Sequence, residues 1–178
     1  MRQLVAAVAA VIGLIAMGSA TSARAQLQVG DPAPIFSTSA ALAGERTNVI
    51  LTAMLREGPV VLYFYPKAFT SGCTLEANAF AEAMPEFKAE GASVLGMSND
   101  DIETLKRFSR EECRDAFPVG VATRRLIEAY DVGSGNSGFA RRTSYVIGQD
   151  GRIAHVYSSG DWRGHVRETL AGVRALSD

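Results

Sequence analysis

Cys73 follows an apolar run, Val60-Val61-Leu62-Tyr63-Phe64, and opens a helix-like stretch that continues Thr74-Leu75-Glu76-Ala77. The spacing predicts a thiol at the first turn of a helix, just beyond a buried strand. Free backbone N–H groups and the helix dipole favour an anion there. The reactive form of cysteine is the thiolate. Moving a thiol from about 8.5 to about 6 takes roughly 3.4 kcal/mol of differential stabilisation. A helix N-terminus supplies about 0.3–2 kcal/mol, so a neighbouring cation must supply much of the rest. Chemistry at such a thiolate also asks for donors that stabilise a departing atom and for little competing water. Three residues before the sulfur, Thr70 offers a hydroxyl for orienting a bound oxidant, and it also suits helix capping. Pro66 has a rigid ring and no N–H, which suits it to shielding sulfur or simply to ending the strand.

The stretch Tyr65-Pro66-Lys67-Ala68-Phe69-Thr70-Ser71-Gly72-Cys73 contains Pro-x-x-x-Thr-x-x-Cys. This pattern resembles the active-site loop of the peroxiredoxins, thiol peroxidases that reduce hydroperoxides. The likeness extends from Gly30-Asp31-Pro32-Ala33-Pro34-Ile35-Phe36 to Gly151-Arg152-Ile153, nearly all of the chain after residue 25. It is strongest to the Q-type group, the bacterioferritin comigratory proteins. The resemblance implies a thioredoxin-like fold with peroxiredoxin insertions, Cys73 as peroxidatic cysteine, and an arginine facing it from a strand. Arg142-Thr143-Ser144-Tyr145-Val146-Ile147 is similar to the family's arginine-led strand, which favours Arg142 over the adjacent Arg141. Glu76, one turn into the helix, is suited to hold that arginine in an ion pair.

The chain departs from many members of the group at Asn78, where a second, resolving cysteine often stands. The other thiol is Cys113, forty residues beyond Cys73. Some members place their resolving cysteine in that later helix, so the resemblance implies Cys113 as the resolving thiol. Its spacing from Ile102 also fits a half-buried core thiol, which would leave a one-cysteine mechanism. The implied cycle needs a peroxide and a thioredoxin-like or other dithiol reductant, and no metal, flavin or haem.

Residues 1–25 read separately. Arg2 precedes an uncharged stretch from Leu4 to Met17, and small residues lead to Ala23-Arg24-Ala25. This is the pattern of a secretory signal peptide, and the apolar stretch is short for a spanning helix. Cleavage after Ala25 would leave residues 26–178 as one peroxiredoxin-type domain, periplasmic or secreted, without stable membrane association. The family group suggests a monomer. Without Arg2 and Arg24 the 18 basic side chains fall to 16 against 19 acidic, a net charge of −3. That balance gives no reason to expect a nucleic-acid partner. Two cysteines in an exported chain also fit a structural disulfide, although a domain of this size needs no staple.

The elements that must position the thiol follow from periodicity. The extended segment Val29–Phe36 should lead into a strand or hairpin at a sheet edge, with a second strand near Asn48–Thr52 and a helical turn near Ala53–Arg56. Val60–Tyr65, apolar at nearly every position, reads as a strand covered on both faces. Gly72–Glu90 reads as helix with Leu75, Ala79, Ala83 and Phe87 inward, kinked or split at Pro85. A strand over Ala92–Met97 follows, then Asn99-Asp100-Asp101 as a helix-start signal and a helix from Ile102 to about Cys113. Phe117–Val121 is a strand, Thr123–Tyr130 a helix, and Gly133–Gly138 a surface loop. Thr143–Ile147 and Arg152–Tyr157 are strands joined through Asp150-Gly151, and Trp162–Leu176 closes the chain as a helix. The alternation predicts an α/β fold, a mixed central sheet flanked by helices on both faces.

Rival chemistries are weaker. A thioredoxin-type oxidoreductase wants Cys-x-x-Cys, which Cys73-Thr74-Leu75-Glu76 lacks. A copper or zinc module would have only His155 and His165 beside two distant cysteines, no recognised ligand spacing; both histidines read as surface or packing residues. A non-catalytic, disulfide-stabilised binding domain would hold unreactive sulfur. No Gly-x-Ser-x-Gly supports a serine hydrolase.

Overall fold

The computed structural model describes residues 26–177. The signal-peptide reading of residues 1–25 therefore lies outside the described residues. Seven strands form one sheet: β1 (Ser37–Leu42), β2 (Glu45–Ile50), β3 (Val60–Phe64), β4 (Ser93–Ser98), β5 (Val119–Val121), β6 (Thr143–Ile147) and β7 (Ile153–Ser158). Their spatial order is β2-β1-β5-β4-β3-β6-β7. Strands β3, β4 and β5 run parallel, and the pairings of β6 with β3 and of β1 with β5 are antiparallel. Five helices cover the sheet: α1 (Leu51–Glu57), α2 (Ser71–Ala89), α3 (Ile102–Glu111), α4 (Arg124–Ala129) and α5 (His165–Arg174).

All five residues of β3 are fully buried. Successive side chains on a strand point to opposite faces. Val61 and Tyr63 accordingly join a core under α2, α3 and α5, with Phe80, Phe87, Leu105, Phe108 and Leu170. Val60, Leu62 and Phe64 join a second core under α1 and α4, with Leu51, Leu55, Leu126 and Ile127. Burial of each such side chain contributes about 1.5–3 kcal/mol, so β3 is anchored from both faces. The loop beyond its end inherits that rigidity and carries the chain to Cys73.

Four features differ from the sequence reading. First, Val29–Phe36 leads into the edge hairpin as expected, but the hairpin's second strand starts earlier than read, at Glu45, and Val29–Phe36 itself adds only an isolated bridge, Pro32 with Arg152. The hairpin, β1 with β2, turns through Ala43 and Gly44 at φ 51° and 77°. Two positive φ values are what a two-residue hairpin turn demands. Ala at the first of them is an uncommon choice, and β1 is rich in small polar residues, so the signal was faint. Second, Thr52 belongs to α1. Third, α2 runs as one helix through Pro85, so the predicted split does not occur. Fourth, Leu75 is 48% exposed, and the buried face of α2 is Cys73, Glu76, Ala77, Phe80, Ala83, Met84 and Phe87. A carboxylate thus occupies a position that periodicity would give to an apolar residue.

Gly96 of β4 shows how tightly this core is packed. A Cβ there would stand 2.8 Å from the Tyr63 ring, itself stacked on Phe80 at 4.3 Å between centroids. Gly96→Ala is expected to destabilise the protein by about 1–3 kcal/mol through overpacking. Urea unfolding would measure it, and an unchanged midpoint would contradict this packing.

Candidate active site

Helix α2 begins directly after the loop that leaves β3. Thr70 occupies its N-cap position, and Cys73 lies in the first turn, buried to 1% exposure. The Thr70 hydroxyl does not cap the helix; it donates to the Lys67 carbonyl at 3.0 Å, tightening the loop. Pro66 is half-buried at the loop's entry. Asp100, beyond β4, accepts the Ala68 N–H at 2.8 Å and the Ser98 hydroxyl at 2.8 Å, tying the loop to the neighbouring strand. Phe69 adopts a positive φ of 62°, packs edge-on against Phe108 of α3 at 5.2 Å, and lies under the Arg107 guanidinium at 5.1 Å.

Arg142 immediately precedes β6, the antiparallel neighbour of β3. Its Nη2 donates to the Cys73 sulfur at 3.3 Å, and its Nη1 donates to Glu76 Oε2. The Arg142 side chain is 8% exposed and that of Glu76 is 0% exposed. Gly72 makes room for this approach: a Cβ on it would stand 3.3 Å from Nη2. Arg141 points elsewhere, donating to the Asp131 carbonyl. Among the two candidate arginines, Arg142 is the one brought to the sulfur, as the arginine-led strand implied.

Burial pushes the Glu76 carboxyl up to about 8, against the opposing charge and hydrogen bond of Arg142. For Arg142 itself, burial works against the charged form, but the Glu76 and Cys73 partners outweigh it and hold the guanidinium above its ordinary value. The cation beside the sulfur is therefore permanent, while its carboxyl partner is the group that titrates.

Cys113 lies just beyond the end of α3, which stops at Glu111, and is wholly buried. It shares the core that surrounds Cys73, and both cysteines are free thiols. Burial, with Glu112 and Asp115 nearby, pushes the Cys113 thiol well above its ordinary value. Arg114 and Asp115, which follow, both hold positive φ, 51° and 58°. Non-glycine residues in that region store strain of about 1–3 kcal/mol each. Asn78, which stands where many members of the Q-type group carry a resolving cysteine, donates to the Thr74 carbonyl at 2.8 Å and to Glu112 Oε2 at 3.1 Å. Arg114 pairs with Glu82 at 3.2 Å. The two contacts pin the Cys113 segment to the helix that carries Cys73.

The sequence reading missed three residues beneath the site. His165, read there as a surface or packing residue, is fully buried at the start of α5. Its Nδ1 bonds the Ser144 hydroxyl at 2.7 Å and lies 3.8 Å from Glu76 Oε1. Asp100 was read with Asn99 and Asp101 as a helix start; Asp101 alone caps α3, accepting the Thr104 N–H. Ser144 follows Arg142 by two positions, so a polar residue in an otherwise buried strand was the available signal. His155 lies on β7, and among the described residues no group of three or more ligand-type side chains could hold a metal ion.

A parallel β3-β4-β5 core, an antiparallel β6, and a helix-start cysteine facing a buried arginine define a thioredoxin-like fold built around one thiol. Residues 29–156 match the model of the AhpC/TSA family. The chain is 35% identical over 137 residues to peroxiredoxin Bcp of Escherichia coli, an alignment covering 74% of this chain and 85% of that protein. The crystal structure of peroxidoxin BcpB from Mycobacterium tuberculosis superposes with a TM-score of 0.77 at 32% identity, covering 85% of this chain and 99% of that one. The bacterioferritin comigratory protein of Xanthomonas campestris, described for its alkyl peroxide reduction activity, superposes at 0.69 with 28% identity over 79% and 92% of the two chains. The chain belongs to the AhpC/TSA family of peroxiredoxins, and the likeness to Bcp proteins agrees with the Q-type assignment.

The Glu76 shift has a consequence for stability. Its carboxyl releases the proton near 4.5 when unexposed to the fold and near 8 within it. Between those values the folded state binds more protons than the unfolded state. The associated stability is fully present below about pH 4.5 and is lost as pH rises through about 8. From pH 5 to pH 8 the unfolding free energy should fall relative to Glu76→Gln, by at most about 1.4 kcal/mol per pH unit. Parallel urea profiles for the two proteins would mean that Glu76 is ionised throughout.

Proposed function

We propose that this protein is a thiol peroxidase that reduces hydrogen peroxide and organic hydroperoxides, with Cys73 as the attacking thiolate. The observation that carries this reading is the buried Arg142 N–H at 3.3 Å from the Cys73 sulfur, at the start of a helix. Membership of the peroxiredoxin family supports it.

The thiolate attacks one oxygen of the hydroperoxide along the O–O axis. The O–O bond breaks, the alcohol or water leaves with the hydroperoxide's proton, and sulfur is oxidised by two electrons to the sulfenate, which takes up a proton from solvent. Arg142 stabilises the anion before attack and polarises the departing oxygen as it gains charge. Thr70 orients the incoming oxidant at the mouth of the loop, and Pro66 limits water.

Cys113 then condenses with the sulfenic acid, releasing water and forming a disulfide. The two thiols stand unbonded within one core, so that step needs the segment after α3 to unwind until the sulfurs reach bonding distance. Strain at Arg114 and Asp115 favours release, and the Asn78–Glu112 and Arg114–Glu82 contacts oppose it. A thioredoxin-like or other dithiol reductant returns both thiols by exchange. The burial of Cys113 also supports a second reading, a one-cysteine mechanism in which an external thiol meets the sulfenic acid directly. The residues assigned roles here need no metal, flavin or haem. Residues 1–25 fit a cleaved signal peptide, giving a periplasmic or secreted monomer without stable membrane association.

Peroxide consumption by the reduced protein separates these steps. Cys73→Ser should abolish it. Cys113→Ser should keep the first oxidation but build up sulfenic acid, seen by trapping and intact mass, and recycle slowly with a dithiol donor. Wild-type recycling in Cys113→Ser would favour the one-cysteine route; retained peroxidase activity in Cys73→Ser would sink the mechanism. For export, the protein recovered from the producing cell's exterior compartment should have the mass of a chain starting at Gln26, and a mass retaining residues 1–25 would refute cleavage.

A further inference from the structure

His165 opens α5 and is fully buried, yet the chemistry above does not use it. Its Nε2 lies 3.1 Å from the Ser159 carbonyl oxygen. A carbonyl only accepts, so Nε2 carries the proton. In the neutral ring Nδ1 is then the lone-pair nitrogen, and the Ser144 hydroxyl donates to it at 2.7 Å. Both partners belong to segments that hold Arg142. Ser144 lies two residues beyond it on β6, and the Ser159 N–H donates to the Arg142 carbonyl at 3.3 Å. One imidazole thus fastens the strand from which the site arginine projects to the segment that binds the arginine's carbonyl.

The same Nδ1 lies 3.8 Å from Glu76 Oε1. That oxygen is buried and has no hydrogen-bond partner among the described residues, while Arg142 binds the other oxygen. A carboxylate oxygen and the electron-rich Nδ1, whose lone pair already accepts the Ser144 hydroxyl, repel at that distance. A proton on Oε1 removes the repulsion.

We propose that His165 is a positioning residue for the Cys73–Arg142 pair: it fixes Arg142 through Ser144 and Ser159 and favours a protonated Glu76, so that the guanidinium charge is directed at sulfur. A neutral Glu76 binds Arg142 without dividing its charge between two anions. The groups facing His165 are Glu76 from α2, Arg142 ahead of β6, Asp161 in the turn before α5, and the Tyr157 ring of β7, edge-on at 4.8 Å. Burial pushes the His165 imidazole down to about 4, Arg142 adds to that, and the Ser159 bond and Asp161 oppose it. The ring therefore stays neutral at pH 7, with Nδ1 held by the Ser144 hydroxyl at 3.8 Å from the carboxyl.

This rests on Cys73 as the reacting thiol, and iodoacetamide tests the thiolate whether or not peroxide is a substrate. The rate of Cys73 alkylation, read by peptide mass spectrometry between pH 5 and 9, is compared in wild type, His165→Leu, His165→Asn and Ser144→Ala. His165→Leu removes both tethers and the acceptor; it should slow alkylation at pH 7 about tenfold and displace the pH profile upward. His165→Asn, which keeps an acceptor near Nδ1, should recover part of the loss. If His165→Leu does not fold, Ser144→Ala should still displace the profile in the same direction by a smaller amount. A wild-type profile in His165→Leu, or an unmoved midpoint in every variant that folds, would overturn the proposal. If wild type is alkylated as expected but ignores peroxide, the peroxidase reading fails and the positioning role stands.

Discussion

A single buried positive charge organises this molecule. Arg142 is almost sealed from water, and a guanidinium there is tolerated only if its hydrogen bonds and charge are answered. Glu76 and the Cys73 sulfur answer its two terminal nitrogens from successive turns of one helix face, while Nε is buried without a partner among the described residues. That arrangement requires the first turns of α2 to stand at a fixed distance from the start of β6, which explains several otherwise separate features. Gly72 has no side chain because the guanidinium passes beside it. Glu76 takes an inward helical position that would ordinarily be apolar. The strand supplying Arg142 lies beside β3, whose end leads into the cysteine loop.

The cost of that arrangement is distributed over the surrounding structure. Removing one partner from a buried polar cluster leaves the others unsatisfied, at about 1–3 kcal/mol for each neutral group and more for a charged one, so the cluster is stable only while complete. The two apolar cores on either face of β3 hold it together. The loop between Pro66 and Thr70 is further fixed by Asp100 below and by Phe69 against α3. Phe69 and the residues after Cys113 hold strained backbone near the two thiols, while the rest of α2 and β3 is regular. Rigidity at Cys73 and strain beyond α3 suit a cycle in which one sulfur waits in place and the other must travel.

Much of the fold was legible. β3 announced itself by unbroken apolar character, the β6–β7 hairpin by Asp150-Gly151, and α3 by its Asp101 cap. These signals are local, set by backbone geometry and by which faces meet water. The hairpin after Phe36 was anticipated, but its turn was not legible, because Ala43 stands where a turn-forming Asn or Asp would have marked it. Leu75 was read as inward and is half exposed, and the burial of Glu76 was not foreseen, since periodicity assigns an inward face by polarity. At Glu76 a charge on another strand reversed that preference.

From the sequence alone came the thiol's setting: a buried strand, a proline-bearing loop and a helix start follow from residue order within a dozen positions. The pairing of Arg142 with Cys73 rested there on resemblance, because 69 positions separate them and nothing local links them. Tertiary structure decided which arginine reaches the sulfur, that Glu76 is buried, and that His165 lies behind both. Those are contacts between distant segments, and they arise only when the sheet brings β6 beside β3 and packs α5 under the first turns of α2.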